Sequence, residues 1–392
     1  MSSVAQETPV AADWPALDGS QQRVAVEVLR HGPLPRAELA RRLGLSAGSL
    51  TRLTRPLVDS GLLVEGSTDV HTRTGRPSLP LDVAPSARRF LGMKITGDTL
   101  FGVVTDMRAT VLAEHTVPLP ARDPAAVVAT AAAAVEHLRS AAGGDVAGLG
   151  VGIGGFVRER REVARAHYLR WDHTVPLADL LEEAAGLPSV VENDVRALTV
   201  AEHWFGPGRG MHSLVVITIG VGVGCGIVVH DRLVEGAHGG GGSIGHRPLF
   251  GWGVCADGHR GCAHALLASD AIAGAVAQAV GHPVDHAEAL ALARAGQPAA
   301  LRVVRDGGRA LGLLVADIAN LVDPELVILT GDGIGLVDLA GAELDAAVLE
   351  NRNQDAGPTP VEVRPFPFTE WARGGAAVAI QTHVLGTAGA AA

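Results

Sequence analysis

The strongest constraint on the fold of this chain is a short segment whose metal-binding side chains must converge. The segment spans residues 241–262 and reads GGSIGHRPLFGWGVCADGHRGC. It contains two of the three cysteines of the chain, Cys255 and Cys262, with Asp257 between them and His246 before them. Thiolate, imidazole and carboxylate groups at this spacing are typical of tetrahedral zinc sites. The spacing predicts a metal loop; two incidental thiols or a disulfide are the alternatives.

The composition indicates a globular chain with more than one domain. Its 392 residues are 47% hydrophobic and 19% charged, which is sufficient apolar material for two or three domains. Cysteine is rare and the first residues lack a secretory pattern, so we expect a cytoplasmic protein. The longest uncharged run, residues 213–229, contains four alternating glycines, which favour a turn between strands over a membrane span. We therefore expect no membrane partner.

The charge of the chain is unevenly distributed. The formal net charge is −10, yet residues 20–80 contain nine arginines and only five acidic residues. A positively charged segment on an otherwise acidic chain is typical of a nucleic-acid contact surface.

This basic segment has the pattern of three helices followed by two strands. Apolar spacing and capping residues predict helices over residues 21–30, 36–43 and from Ser46 to about Asp59. Pro56 is expected to kink or end the third helix. Strands are predicted at Leu62–Val64 and Ser78–Asp82, around a polar loop. The order predicts a winged helix-turn-helix; a solvated hairpin and a protein-binding winged helix are the alternatives.

Two sets of side chains in this segment are positioned to contact double-stranded DNA. Because Leu50, Leu53 and Leu57 form the buried face of the third helix, its outward face is available to a major groove. That face carries Ser49, Thr51, Arg52 and Arg55. The loop of the wing carries Arg73 and Arg76, which suit a narrow minor groove.

From Arg89 onward, strands and helices alternate, which predicts an α/β body. After the winged helix come the segments GLGVGIGGFV, VENDVRALTVAEHWFG, ITIGVGVGCGIVV, and GSIGH followed by CADGHRGC. Over nearly the whole chain, this order resembles the ROK family of repressors and sugar kinases. The resemblance implies an actin-like, sugar-kinase fold of two lobes about a cleft, preceded by the winged helix-turn-helix.

The resemblance also implies where the domains begin and end. We expect a flexible N-terminus over residues 1–18 and the winged helix-turn-helix over residues 19–85. The first lobe is expected over residues 86–200, completed by a C-terminal helix over residues 371–388. The second lobe, with the metal loop, is expected over residues 201–370.

Both phosphate-binding motifs of the family's kinases are altered. Where the kinases carry DIGGTK, residues 94–99 read KITGDT, so an ammonium group replaces the carboxylate and Asp98 would repel a phosphate. The second turn, usually GTGIG, reads GVGVG from Gly220 to Gly224 and has lost its hydroxyl. We therefore expect neither ATP binding nor enzyme activity.

Two adjacent residues match the family's sugar site. Asn193 corresponds to its sugar-binding asparagine and Asp194 to its catalytic base, here vestigial. A carboxylate beside an amide can hold two adjacent sugar hydroxyls. Helix capping is the alternative role for this pair.

Other positions of the sugar site depart from the family. Ser243 replaces the glutamate of the EXGH motif that ends at His246, and His264 replaces a second glutamate. Arg196 stands where the family has another asparagine; it either faces an acidic or phosphorylated ligand or lies on the surface. We expect a sugar or sugar-phosphate effector at Asn193, Asp194, Arg196, Ser243, His246 and His264.

The metal loop resembles the family's CXCGXXGC motif, in which Asp257 replaces the middle cysteine. An aspartate oxygen at about 2.0 to 2.2 Å is acceptable to zinc but gives a weaker site than a third thiolate. The resemblance implies a structural zinc held by His246, Cys255, Asp257 and Cys262.

Together these features predict a DNA-binding transcriptional regulator, a repressor, that binds a carbohydrate effector and no longer phosphorylates it. The family and the short recognition helix imply a homodimer or homotetramer. Two alternatives are a ROK sugar kinase that uses Asp194 as base and a constitutive DNA binder with a vestigial pocket.

Overall fold

The computed structural model describes residues 17–66, 79–251 and 253–390. The predicted flexible N-terminus lies outside these residues, except for its last two. The wing loop with Arg73 and Arg76 lies wholly outside them, so the structure says nothing about their contacts. In the described part of the chain, no helix is long and apolar enough to cross a membrane.

The N-terminal domain has the predicted order of three helices and a two-stranded wing. Its elements are α1 (Gly19–His31), α2 (Arg36–Leu43), α3 (Ala47–Asp59), β1 (Leu63–Glu65) and β2 (Leu81–Val83). Gly44 ends α2 in the left-handed conformation, and the Ser46 hydroxyl accepts a hydrogen bond from the Ser49 amide to begin α3. Helix α3 ends at Asp59, as predicted, and Pro56 does not stop it early.

The first part of the body contains a five-stranded mixed sheet. Its elements are β3 (Arg89–Ile95), β4 (Thr99–Thr105), β5 (Val111–Pro118), α4 (Pro124–Ala142), β6 (Val146–Ile153), β7 (Phe156–Arg158), β8 (Glu162–Arg165), α5 (Leu177–Ala185), β9 (Ser189–Asn193) and α6 (Asp194–Phe205). The strand order is β5-β4-β3-β6-β9, with β3, β6 and β9 parallel. Strands β7 and β8 form a separate hairpin.

The second part of the body contains another five-stranded mixed sheet. Its elements are β10 (Ser213–Ile219), β11 (Val223–Val229), β12 (Arg232–Leu233), α7 (Ala263–Leu267), α8 (Ser269–Val280), α9 (His286–Arg294), α10 (Pro298–Val322), β13 (Leu326–Thr330), α11 (Val337–Asn351), β14 (Val361–Val363) and α12 (Phe368–Ala390). The strand order is β12-β11-β10-β13-β14. Helices α10 and α11 pack against each other.

The last helix, α12, returns to the first sheet and packs on β3, β6 and α6. Two glycines permit this close approach. A Cβ at Gly92 would lie 2.1 Å from the Ala372 carbonyl oxygen, and one at Gly150 would lie 1.9 Å from the Gly375 carbonyl oxygen. Because no side chain fits at either position, the backbone of α12 lies directly against the sheet.

Candidate functional site

The outward face of α3 forms a basic surface. Thr51, Arg52 and Arg55 are exposed, while Ser49 is half-buried. The Ser49 hydroxyl accepts a hydrogen bond from Ser46, so it belongs to the helix cap, and the Arg55 guanidinium lies 3.8 Å from the Asp59 carboxylate. This arrangement leaves the two arginines accessible for phosphate or base contacts.

The winged helix is docked on the body through a buried arginine at the end of α1. Arg30 is only 7% exposed, and its Nη2 donates to Asp231 Oδ1 (2.7 Å) and to the Met211 carbonyl oxygen (3.3 Å). The same Nη2 lies 3.0 Å from Nε2 of His203, near the end of α6. A charged side chain is therefore buried across the interface and paired there, as burial requires.

Further contacts extend this interface. Arg209 donates to the carbonyl oxygens of Arg30 and Gly32, and the Gln22 amide donates to the Leu385 carbonyl oxygen of α12 (3.1 Å). Helix α6, buried from Val195 to Trp204, connects His203 at the interface to Asp194 at its other end, about 14 Å away by helical rise.

The stability of this interface is expected to depend on pH. Burial, followed by the positive charge of Arg30, lowers the pKa of His203 to about 4. Since the unfolded chain takes up this proton near pH 6.5 and the folded chain does not, the free energy of unfolding falls as the pH falls. The loss from this histidine is about 2 kcal/mol between pH 6.5 and pH 5.

Urea unfolding at the two pH values would measure this loss. His203→Gln should reduce it, whereas His238→Gln, at an exposed position, should leave it unchanged. An identical pH dependence in wild type and His203→Gln would contradict the assignment.

The metal loop brings two histidines and two cysteines together. His246 Nδ1 lies 3.6 Å from Cys255 Sγ, 3.9 Å from Cys262 Sγ and 3.1 Å from Nδ1 of His259. His259 Nδ1 lies 3.5 Å from Cys255 Sγ. Ligand atoms of a tetrahedral zinc with these donors stand roughly 3.3 to 3.8 Å apart, so the residues present fit the ion.

Asp257 approaches this group from a different side. Its carboxylate lies 3.2 Å from Nε2 of His246, the ring nitrogen opposite the one that faces the thiols. His246, Cys255, Asp257 and His259 all place one ligand atom within 4.8 Å of one another, so Asp257 is close enough to take part. Because one imidazole ring binds a single ion through only one nitrogen, an ion on Nδ1 of His246 would have Cys255 and His259 as its neighbours, and Asp257 would then lie at the free Nε2.

His259 was not among the predicted metal ligands. Within CADGHRGC it lies four residues after Cys255 and three before Cys262, which is a common ligand spacing. This spacing is the sequence signal that points to His259. The CXCGXXGC motif specifies no residue type at position 259 and differs from this chain only at position 257, where aspartate replaces its cysteine.

The cleft between the two sheets contains an ion pair at the position of the predicted base. The Lys94 ammonium pairs with Oδ2 of Asp194, and the two side chains are 7% and 14% exposed. Lys94 also lies 5.2 Å from the ring centre of Trp371 in α12. The only lysine of the chain thus holds the carboxylate that a kinase would need free to accept a hydroxyl proton.

The side chain of Asn193, next to Asp194, forms hydrogen bonds with backbone groups. Asn193 is the N-cap of α6: its side-chain oxygen accepts hydrogen bonds from the amides of Val195 and Arg196, and its amide donates to the Gly155 carbonyl oxygen (3.0 Å). Helix capping was the predicted alternative role of Asn193 and Asp194, with Asp194 as the residue before the helix. In the structure α6 begins at Asp194, and Asn193 is the capping residue.

The structure differs from both expectations for Arg196. Its side chain is 3% exposed, so it lies neither on the surface nor toward a ligand. The guanidinium forms an ion pair with Glu192 and donates to three carbonyl oxygens, those of Val157, Glu235 and Gly239. By donating to the carbonyl oxygens of Glu235 and Gly239, Arg196 holds the loop that leads to Ser243.

The other predicted effector residues lie along the metal loop. Ser243 and His246 line a groove against α10, whose wall includes Leu314, Asp317 and Leu321. The ring centroid of His264 lies 6.1 Å from that of His246, and its backbone amide donates to the Gly245 carbonyl oxygen. The structure thus places Asn193 and Asp194 in the cleft, and Ser243, His246 and His264 around the metal loop.

The fold and these sites define a class of protein: a two-lobed body of the sugar-kinase type that carries a winged helix in contact with both parts of the body. Comparisons with known proteins agree. Residues 90–379 match the model of the ROK family, and residues 18–64 match a winged helix-turn-helix DNA-binding model. The chain belongs to the ROK family, and its fold is the actin-like fold of that family.

Relatives of two kinds are similar to this chain. The glucokinase of Streptomyces coelicolor is 32% identical over 274 residues, 65% of this chain and 84% of the enzyme. The DNA-binding transcriptional dual regulator NagC of Escherichia coli is 26% identical over 326 residues, 77% of this chain and 78% of the regulator. A crystal structure of a ROK family transcriptional regulator, a homolog of the E. coli MLC protein, matches 95% of this chain and 97% of its own with a TM-score of 0.79 at 25% identity.

Proposed function

We propose that the protein is a DNA-binding transcriptional repressor in the cytoplasm, whose ROK body binds a carbohydrate effector without phosphorylating it. The observation that carries this proposal is the buried Arg30 contact, which joins α1 of the winged helix to α6, the helix that begins at Asp194. Winged-helix domains that are free of the body could bind DNA, but they could not respond to a ligand in its cleft.

The absence of phosphoryl transfer is proposed from the Lys94–Asp194 pair. A base that is already paired with an ammonium group cannot accept the proton of a sugar hydroxyl without first losing that partner. The similarity to a glucokinase supports a sugar-binding ancestry for the cleft and is compatible with a lost reaction.

A structural zinc is proposed at the metal loop, held by His246, Cys255, Cys262 and His259. Zinc would supply a fixed cross-link among these side chains. The loop carries Ser243 and His246 against α10, so holding it closed also shapes that groove. Thiolates are the softest ligands in the set, and burial of Cys262 shields one of them from solvent.

Effector binding is proposed to change DNA affinity through α6. A sugar that displaces Lys94 from Asp194 would alter the start of α6, and the rigid, buried helix would carry that change to His203 and Arg30. Such coupling is typically worth about 1 to 3 kcal/mol. In a homodimer or homotetramer, the spacing of two winged helices would change with it.

The DNA-binding function predicts a strong effect of arginine loss on α3. Arg52→Ala and Arg55→Ala should each weaken binding to a selected duplex by about tenfold or more, because each removes a contact worth about 1 to 3 kcal/mol. A phosphate-contacting arginine should also reduce the salt slope of log K by about one. Fluorescence anisotropy at several salt concentrations measures both quantities.

The matched control for this experiment is Arg302→Ala, an exposed arginine of α10. Its effect on DNA binding should be within error. Selection from random duplexes that yields no preferred sequence would overturn the regulator proposal. Phosphorylation of a hexose by Mg-ATP, abolished in Asp194→Asn, would instead establish the kinase alternative, and DNA binding unaltered by any sugar would establish the constitutive binder.

A further inference from the structure

One aromatic side chain contacts glycine turns from both lobes. Tyr168, the only tyrosine of the chain, lies in the short helical turn His167–Leu169. A Cβ placed on Gly154, after β6, would lie 3.1 Å from its ring, and one placed on Gly222, in the β10–β11 turn, would lie 2.5 Å from its hydroxyl. The Tyr168 carbonyl oxygen would lie 3.1 Å from a Cβ on Gly97, in the β3–β4 turn. Tyr168 thus lies between these turns, with 44% of its surface still exposed.

The position of Tyr168 is fixed by its neighbours in the chain. Ala166 and Trp171 form a two-way backbone bridge around it, with both hydrogen bonds between 3.0 and 3.1 Å. Leu169 and Trp171 are buried in the core of the first lobe. The turn is therefore anchored on both sides, and it projects the phenol toward the second lobe.

A carboxylate occupies the other end of the same glycine turn. A Cβ on Gly220 would lie only 1.6 Å from Oδ1 of Asp332, two residues after β13. The backbone places it there: the Gly333 amide donates to the Ile219 carbonyl oxygen (3.0 Å), and Gly331 has a φ of 110°. Because only glycine adopts that φ without strain, the approach of Asp332 to the turn is built into the loop.

Glycine-rich turns of this kind accept phosphates because their amides are accessible without side chains. Here a phenol covers Gly222 and a carboxylate covers Gly220. The carboxylate would also repel a polyphosphate, since both carry negative charge. Partial removal from solvent, followed by the negative charges of Asp194, Asp270 and Asp332, raises the pKa of Tyr168 to about 12, which agrees with an acidic surrounding of this 44% exposed residue.

We propose that Tyr168 and Asp332 occupy the place where a nucleotide polyphosphate would meet the glycine turn, and so exclude nucleotides from the cleft. This mechanism is independent of the substitutions at residues 94–99 and of the lost hydroxyl at Val221. This exclusion of nucleotides extends the proposed non-catalytic function. It rests on that function only in assuming that the cleft binds a ligand other than ATP. The absence of side chains at Gly220 and Gly222 then leaves room for Asp332 and Tyr168.

Calorimetry with Mg-AMPPNP tests the exclusion. Wild type and Tyr168→Phe, which keeps the ring, should give no saturable heat. The double variant Tyr168→Ala/Asp332→Gly should give a saturable binding isotherm under the same conditions. Saturable binding by wild type, or a double variant that binds no better than wild type, would overturn the proposal.

A second measurement tests the contact without any ligand. Gly222→Ala should crowd the Tyr168 hydroxyl and lower the melting temperature, and Tyr168→Phe should recover part of the loss. Gly274→Ala, where a Cβ has nothing within 4 Å, is the control. Fluorotyrosine labelling gives a single fluorine NMR resonance, which should shift in Gly222→Ala and not in Gly274→Ala; an unshifted resonance in Gly222→Ala would refute the contact.

These outcomes are separable from failure of the proposed function. A chain that excludes Mg-AMPPNP through Tyr168 but selects no DNA sequence would refute the regulator and leave the exclusion mechanism standing. A sequence-specific DNA binder whose wild-type cleft binds Mg-AMPPNP would do the opposite.

Discussion

Replacing Arg30 with methionine is expected to detach the winged helix from the body while leaving both folded. Methionine retains most of the apolar stem but removes the donors to Asp231 and Met211 and the charge beside His203. Asp231 and His203 then remain in the interface without the positive charge of Arg30. Asp231 is 35% exposed, so water recovers part of the loss, and we expect a cost of about 2 to 4 kcal/mol for the docked arrangement.

Unfolding in urea and limited proteolysis would both report this change. Wild type should unfold with the winged helix and body together, whereas Arg30→Met should show a separate, earlier transition and rapid cleavage near residues 84–88. Arg23→Met is the control, because Arg23 is exposed on the same helix. Equal effects of the two substitutions would show that Arg30 has no special role in docking.

The same variant separates docking from DNA contact. Arg30 lies on α1 and is buried in the interface, so the basic face of α3 should remain intact and non-specific DNA binding should persist. If a neutral sugar such as glucose shifts DNA affinity in wild type, that shift should be lost in Arg30→Met. A shift of full size in Arg30→Met would mean that the signal does not pass through α6.

Replacing His259 with alanine is expected to remove the metal, whereas replacing Asp257 with asparagine is expected to weaken it only. In the structure, His259 Nδ1 lies near the thiol of Cys255 and near His246 Nδ1, and Asp257 lies at the far nitrogen of His246. Loss of a partner that orients a ligand typically costs about 10- to 100-fold in metal affinity, and loss of a direct ligand should cost more.

Cobalt substitution distinguishes these two roles. A tetrahedral cobalt spectrum with thiolate charge-transfer bands should form in wild type and in Asp257→Asn, and should be lost or altered in coordination number in His259→Ala. Metal content after gel filtration and the melting temperature with a chelator provide independent readouts. An intact spectrum in His259→Ala together with a lost one in Asp257→Asn would assign the fourth position to Asp257, as the sequence predicted.

Features that depend on neighbours in sequence were predictable. The helices of the winged helix follow from apolar spacing and from caps at Ser46 and Gly44, and the glycine turn between β10 and β11 follows from four alternating glycines. The end of α3 near Asp59 was predictable as well, and Pro56 does not stop the helix early because the tertiary packing of Leu57 and its neighbours outweighs the missing backbone hydrogen bond.

Features that depend on distant parts of the chain were not predictable from one sequence. Lys94 and Asp194 are one hundred residues apart, and their pairing requires the parallel arrangement of β3, β6 and β9. Burial of Arg196 depends on loops that reach it from residues 157, 235 and 239. The sequence identified the altered positions, and only tertiary structure shows which partners the altered side chains find.

The return of α12 to the first sheet has a consequence for biosynthesis. The winged helix is built from contacts close in sequence and can fold soon after it is made. Its docking platform cannot, since the sheet around Gly92 and Gly150 is covered only by residues beyond 368, and Gln22 finds its acceptor at Leu385. During synthesis the DNA-binding domain therefore exists for some 300 residues of elongation without the body that would restrain it.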